Sequence, residues 1–146
     1  MAEKNPDNAL AWIAVSAGAL QRADGRWLMH RRPAGKHHAG LWEFPGGKVE
    51  PSEKPTECLV RELREELGIG LDTINLVPAG FAEGAGENAG SAIVILLYTA
   101  RRWEGEPQAL EGGAVGWFTP AEIARLDKPP LDSLLAAQLF GGVGAA

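Results

Sequence analysis

From Trp12 to Leu20 the chain is almost continuously apolar, the pattern of a buried strand. Ala23-Asp24-Gly25 then separates it from Arg26–His30, and the pair reads as a hairpin. A basic loop punctuated by glycine and proline, HRRPAGKHHAGLWEFPGG, follows. Between Pro55 and Leu67 the apolar positions take the helical period, and Gly68 is a C-terminal stop because glycine tolerates the left-handed conformation. Ser91–Trp103, rich in Ile, Val and Leu, predicts a central strand, and Ala114–Thr119 a further one. Thr119-Pro120-Ala121-Glu122 is a capping box with proline at the first helical position, so a short helix starts there. Leu131–Phe140 predicts a final amphipathic helix. Strands and helices mix without strict alternation, which predicts an α/β protein with a mixed sheet and helices on its faces. The stretch from Ala79 to Ser91 holds four glycines and four alanines. It predicts a flexible hairpin tip, with a functional lid as the alternative.

A length of 146 residues fits one domain. We place it at 9–140, between flexible tails at 1–8 and 141–146. Hydrophobic content of 45% and charged content of 23% are those of an ordinary soluble globule. A net charge of −5 argues against a nucleic-acid binder, but not against a small anion, because a metal ion supplies the missing positive charge. Cys58 is the single cysteine, so no internal disulfide forms and a reducing compartment is expected. The apolar run from Ala9 to Leu20 has the length of a signal core. Its flank MAEKNPDN is wrong for export, and the run is too short to span a bilayer. The expectation is a cytoplasmic monomer acting on a small molecule, with no membrane or nucleic-acid partner.

The chemistry concentrates in RELREEL. At about 100° per residue, Glu62, Glu65 and Glu66 share one arc of roughly 100°, beside the apolar arc of Leu59, Val60, Leu63 and Leu67. Carboxylates at that border converge over a groove and repel one another. A hard divalent cation, Mg²⁺ or Mn²⁺, relieves that repulsion with oxygen ligands alone. The alternative is a solvated face on which Arg61 and Arg64 balance the charge.

Gly47, five residues, Glu53, seven residues, then Arg61-Glu62-Leu63-x-Glu65-Glu66-x-Gly68-Ile69 resembles the Nudix box at every specified position. The resemblance implies a Mg²⁺-dependent pyrophosphohydrolase with a loop–helix–loop box in an α/β/α sandwich. It implies Glu62, Glu65, Glu66 and the Gly46 carbonyl as metal ligands, with Glu53 a weaker candidate. Glu62 is the first choice to orient or deprotonate the water, and Arg61 orients the carboxylates.

The flanks RRPAGKHHAGLWEFPGGKVE and RRWEGEPQALEGG resemble the MutT-like branch, the 8-oxo-dGTP diphosphatases. That resemblance implies phosphate and sugar contacts from Arg32 and His37, with His38 or a merely solvated loop histidine as alternatives. It implies Phe44 at the base, unless Phe44 is only core, and Glu111 reaching the metals from a far loop, unless it is only an exposed glutamate. Glu62 and Glu111 both stand as candidates to handle the proton. The branch has an asparagine where PPLD here puts Asp132. An ionised carboxylate only accepts hydrogen bonds, so Asp132 leaves both 8-oxo-dGTP and a pyrimidine such as CTP or a modified dCTP open. A plain N-cap aspartate is the alternative. A non-catalytic nucleotide-sensing module is the rival class, disfavoured because every box glutamate is present.

Overall fold

The computed structural model describes residues 10–141, so the tails expected at 1–8 and beyond Gly141 lie outside the described residues. Strand β1 (Ala11–Leu20) runs parallel to β6 (Ser91–Ala100), in register from Ala11 opposite Ser91 to Leu20 opposite Ala100. The short strand β4 (Gly46–Lys48) pairs antiparallel with the other edge of β1, and β5 (Val77–Ala85) antiparallel with β6. This mixed sheet has the order β4-β1-β6-β5. A second, antiparallel sheet is ordered β3-β2-β7, from Trp42–Glu43, Trp27–Arg31 and Ala114–Phe118.

Alternation along the strands feeds two cores. Ala17, Ala19, Ile95, Leu97, Trp27, Met29 and Phe44 pack with Ile123 of α2 (Pro120–Arg125) and with Leu135 and Ala136 of α3 (Pro130–Phe140). Leu20, Leu28 and Ala100 pack with Leu59, Leu63 and Leu67 of α1 (Pro55–Leu67). Both faces are covered, which is why β1 and β6 read as continuous apolar runs. The result is the α/β/α layering expected. Each fully buried leucine of α1 anchors the helix, and its truncation to alanine costs about 2–5 kcal/mol.

Three expectations change in detail. The Ala23–Gly25 turn forms, with the Gly25 N–H donating to the Arg22 carbonyl at 2.9 Å, but β1 and β2 pair only through the bridge of Gln21 with Trp27. Both edges of β1 belong to β4 and β6, and both edges of β2 to β3 and β7. Most of the Ala79–Ser91 stretch is strand rather than hairpin tip; only 86–90 turns, closed by the Gly86 N–H on the Ser91 carbonyl. Its small residues admit α3. A β-carbon at Gly84 would stand 3.1 Å from Leu131, and Gln138 bonds both the N–H and the carbonyl of Phe81. Helix α3 buries Asp132, Leu135 and Ala136 while leaving Leu134 exposed, so its apolar residues form no clean stripe.

Candidate active site

Local signals start and stop the carboxylate helix. Pro55 opens it, Glu57 accepts the Lys54 N–H at 2.8 Å, and Gly68 closes it at φ 71°. Beneath it, β4 lies so close to β1 that a β-carbon at Gly46 would fall 1.9 Å from the Ser16 carbonyl oxygen. At Gly47 the neighbour is functional: a β-carbon there would lie 2.2 Å from the Glu62 carboxylate carbon. Gly46 thus lets β4 close on β1, and Gly47 seats Glu62 against the strand.

Arg61 gathers the acidic residues around it. Its Nε and Nη2 donate to the two oxygens of Glu53 at 2.7 and 3.0 Å, a bidentate pair, and Nη2 also donates to the Lys48 carbonyl. Its Nη1 donates to Glu62 at 2.9 Å and to Glu65 at 3.3 Å. The guanidinium holds Glu53 down to about 2. Burial raises Glu62 above its ordinary value, opposed by Arg61 and reinforced by the charges of Glu65 and Glu111. Glu66 goes further, to about 8, through burial first and then the charges of Glu62 and Glu43. Its Oε2 is buried without a hydrogen-bond partner.

Glu111 sits in the exposed loop before β7, and its negative charge reaches both Glu62 and Glu66. The Leu110 N–H donates to the Glu66 carbonyl at 3.0 Å, so the end of α1 anchors this loop. Among the described residues no three acidic, histidine or cysteine side chains close around one point, since Arg61 draws Glu62 and Glu65 to itself while Glu66 lies deeper. The donor set still fits a hard cation. It is oxygen only, and its deepest carboxylate oxygen has no partner in the protein. Glu62, Glu65, Glu66, Glu111 and the Gly46 carbonyl are the groups that would hold it.

The loop 32–41 carries the other candidates. Arg32 donates to Glu43 at 3.0 Å and to the His37 carbonyl. His37 is exposed, with its ring 3.8 Å from that of His38, whose backbone takes φ 58°. Phe44 is core, 3% exposed, and its backbone N–H donates to Asp132 at 3.0 Å. Asp132 is not the N-cap of α3, which is Pro129; it lies in the first turn, 6% exposed. Burial pushes its carboxyl up to about 7, so the acceptor-only carboxylate expected from the sequence is in part a neutral acid at neutral pH.

Sequence reasoning missed His30 and Glu43. His30 is 6% exposed; its Nδ1 faces Glu43 at 3.4 Å and its Nε2 the Gly112 carbonyl at 3.1 Å. A neutral imidazole has one N–H to give and here both nitrogens face acceptors, the arrangement of an imidazolium. Burial opposes that charge, but Glu43, the Gly112 carbonyl and the charge of Glu66 outweigh it and raise the ring's pKa. The available signals were a histidine at an alternating strand position after Leu28, and a lone carboxylate between Trp42 and Phe44.

A carboxylate helix over a glycine strand, in an α/β/α protein, defines a class that comparison with known proteins makes specific. The NUDIX domain family model matches residues 12–138. The chain is 40% identical over 129 residues to the CTP pyrophosphohydrolase of Escherichia coli, covering 85% of this chain and 92% of that protein. It is 32% identical over 127 residues to the 8-oxo-dGTP diphosphatase of the same organism, covering 87% and 95%. The solution structure of the E. coli ORF135 protein superposes with TM-score 0.75 at 36% identity, covering 93% of this chain and 94% of that one. A MutT NUDIX hydrolase from Burkholderia pseudomallei superposes with TM-score 0.72 at 30% identity, covering 88% and 98%. The chain belongs to the Nudix family and is a Nudix hydrolase. No helix among its described residues is long and apolar enough to cross a membrane.

Proposed function

We propose that the chain is a Mg²⁺-dependent nucleoside triphosphate pyrophosphohydrolase, with Mn²⁺ able to substitute. Its nucleotide is 8-oxo-dGTP, with dGTP as a further substrate, released as the monophosphate and pyrophosphate, which removes the oxidised nucleotide before polymerases use it. The observation that carries the reading is the buried, unpartnered Glu66 oxygen on the same helix as Glu62, whose carboxylate is seated on Gly47. Bound by those carboxylates, Mg²⁺ supplies positive charge between them and the phosphates and polarises the reacting phosphorus. Glu62, held by Arg61 and raised by burial, takes the proton from the attacking water; a base closer to neutrality shares the proton better in the transition state. Glu111 is the second candidate for that proton. Arg32, with His37 beside it, receives the phosphates and sugar, and Phe44 and Asp132 bound the base.

CTP or a modified dCTP is the second reading, supported by the 40% identity to a CTP pyrophosphohydrolase. A neutral Asp132 donates one hydrogen bond and accepts another, which suits O6 and N–H of an oxidised guanine as well as N3 and the amino group of cytosine. A non-catalytic module does not fit a complete set of box carboxylates. The deciding experiment compares kcat/KM for 8-oxo-dGTP, dGTP, CTP and 5-methyl-dCTP. The highest value falls on 8-oxo-dGTP; an equal or higher value on CTP replaces it with the second reading.

A further inference from the structure

The loop that carries Glu111 has glycines on its far side and little packing of its own. Gly112 and Gly113 take φ 98° and 81°, and Leu110 and Glu111 are exposed. Two polar contacts nonetheless flank Glu111. On one side the Leu110 N–H is bound by the Glu66 carbonyl at the end of α1. On the other, the Gly112 carbonyl accepts from His30, which lies on β2, in the sheet. A β-carbon at Gly113 would fall 2.0 Å from the Arg31 carbonyl, so the loop passes directly against this part of β2. His30 is itself fixed from behind, because Glu43 holds its other ring nitrogen and is held in turn by Arg32.

We infer that His30 is a positioning residue that pins the Gly112 side of the loop and so sets where Glu111 stands relative to Glu62 and Glu66. Its two ring nitrogens are both engaged within the protein, by Glu43 and by the Gly112 carbonyl. The functional part rests on the reading that Glu111 serves the reaction; the pinning of the loop does not.

Two variants separate the roles of the ring. His30→Phe keeps a planar ring and removes both donors, whereas His30→Gln keeps an N–H for the Gly112 carbonyl. In the nucleotide-free protein, the backbone order parameters of Glu111, Gly112 and Gly113 are about 0.85 in the parent and fall below about 0.6 in His30→Phe, while His30→Gln retains most of the order. If His30→Phe does not fold, His30→Leu, which likewise offers no donor to the Gly112 carbonyl, carries the same comparison. Unchanged order in the donor-free variant overturns the inference. The kinetic arm is a double-mutant cycle. Glu111→Gln lowers kcat several-fold less in the His30→Phe background than in the parent, and equal losses overturn the coupling. Should Glu111→Gln leave the parent's turnover untouched, the role of Glu111 falls, and the loop order still decides whether His30 pins it.

Discussion

The carboxylate of Glu62 rests on the α-carbon of Gly47, leaving no room for a β-carbon, which would approach its Cδ to 2.2 Å. The box glycine is therefore a steric seat for the Glu62 side chain, at a position with no need of a left-handed backbone. Gly47→Ala displaces Glu62 by an ångström or so and lowers kcat about 100-fold, with the far-ultraviolet spectrum unchanged. Activity within a factor of two of the parent would show that Glu62 has no fixed place in the reaction.

Arg61 matters through its planar fork. Five contacts to Glu53, Glu62, Glu65 and the Lys48 carbonyl use its donors in fixed directions. Arg61→Lys keeps the charge and loses the bidentate geometry, so kcat falls and the Mg²⁺ concentration for half-maximal rate rises, by about 10–100-fold combined. A steady-state Mg²⁺ titration checks this, and full rescue by lysine contradicts it.

Acid and base act on stability through different carboxyls. Glu66 and Asp132, raised to about 8 and about 7, bind protons more tightly folded than unfolded. Their contribution is complete below the ordinary carboxylate range and is lost as the pH rises through those values. Glu53, lowered to about 2 by Arg61, contributes above its ordinary 4.5 and loses that contribution as the pH falls toward 2. The metal-free chain is therefore most stable near about pH 4 and loses stability from there through pH 8.5. Added Mg²⁺ raises the Tm more at pH 8.5 than at pH 5, because it favours the ionised form of Glu66. Thermal unfolding in chelator and in Mg²⁺ tests both signs; a metal-free Tm that climbs from pH 5 to 8.5 is the contrary result.

If Asp132 bounds the base, as proposed, the nucleotide side has its own pH dependence. A neutral carboxyl donates and an ionised one does not, so base recognition weakens as the pH passes about 7. Asp132→Asn keeps an acceptor for the Phe44 N–H and a donor at every pH. The ratio of kcat/KM for Asp132→Asn to that of the parent rises about tenfold per pH unit once Asp132 is mostly ionised. A ratio independent of pH between 6 and 8.5 removes Asp132 from base recognition.

The parts of the fold legible in the sequence are those whose causes are local. Helix α1 runs from Pro55 to Leu67 as its proline, its apolar period and Gly68 dictate. Strands β1 and β6 follow from unbroken apolar runs. What escaped depends on residues far apart in the chain. His30 meets Gly112 across 82 positions and Phe44 meets Asp132 across 88, and neither contact leaves a periodic trace. The Ala79–Ser91 stretch was misread for the same reason. Its glycines look like a loop until Leu131 and Gln138 of α3 are seen to occupy the space they leave. Spacing alone placed the carboxylates on one helix, but only the packing sets Glu66 deeper than Glu62 and Glu65.

In the proposed reaction the α1 carboxylates hold Mg²⁺ for cleavage between the α- and β-phosphates of a nucleoside triphosphate. Phosphorus NMR of 8-oxo-dGTP incubated with the parent chain and with Glu62→Gln tests it most directly. The parent gives monophosphate and pyrophosphate only when Mg²⁺ is present, and Glu62→Gln, still folded, gives neither at a comparable rate. Release of inorganic phosphate with the diphosphate, turnover in chelator, or undiminished turnover by Glu62→Gln would contradict it.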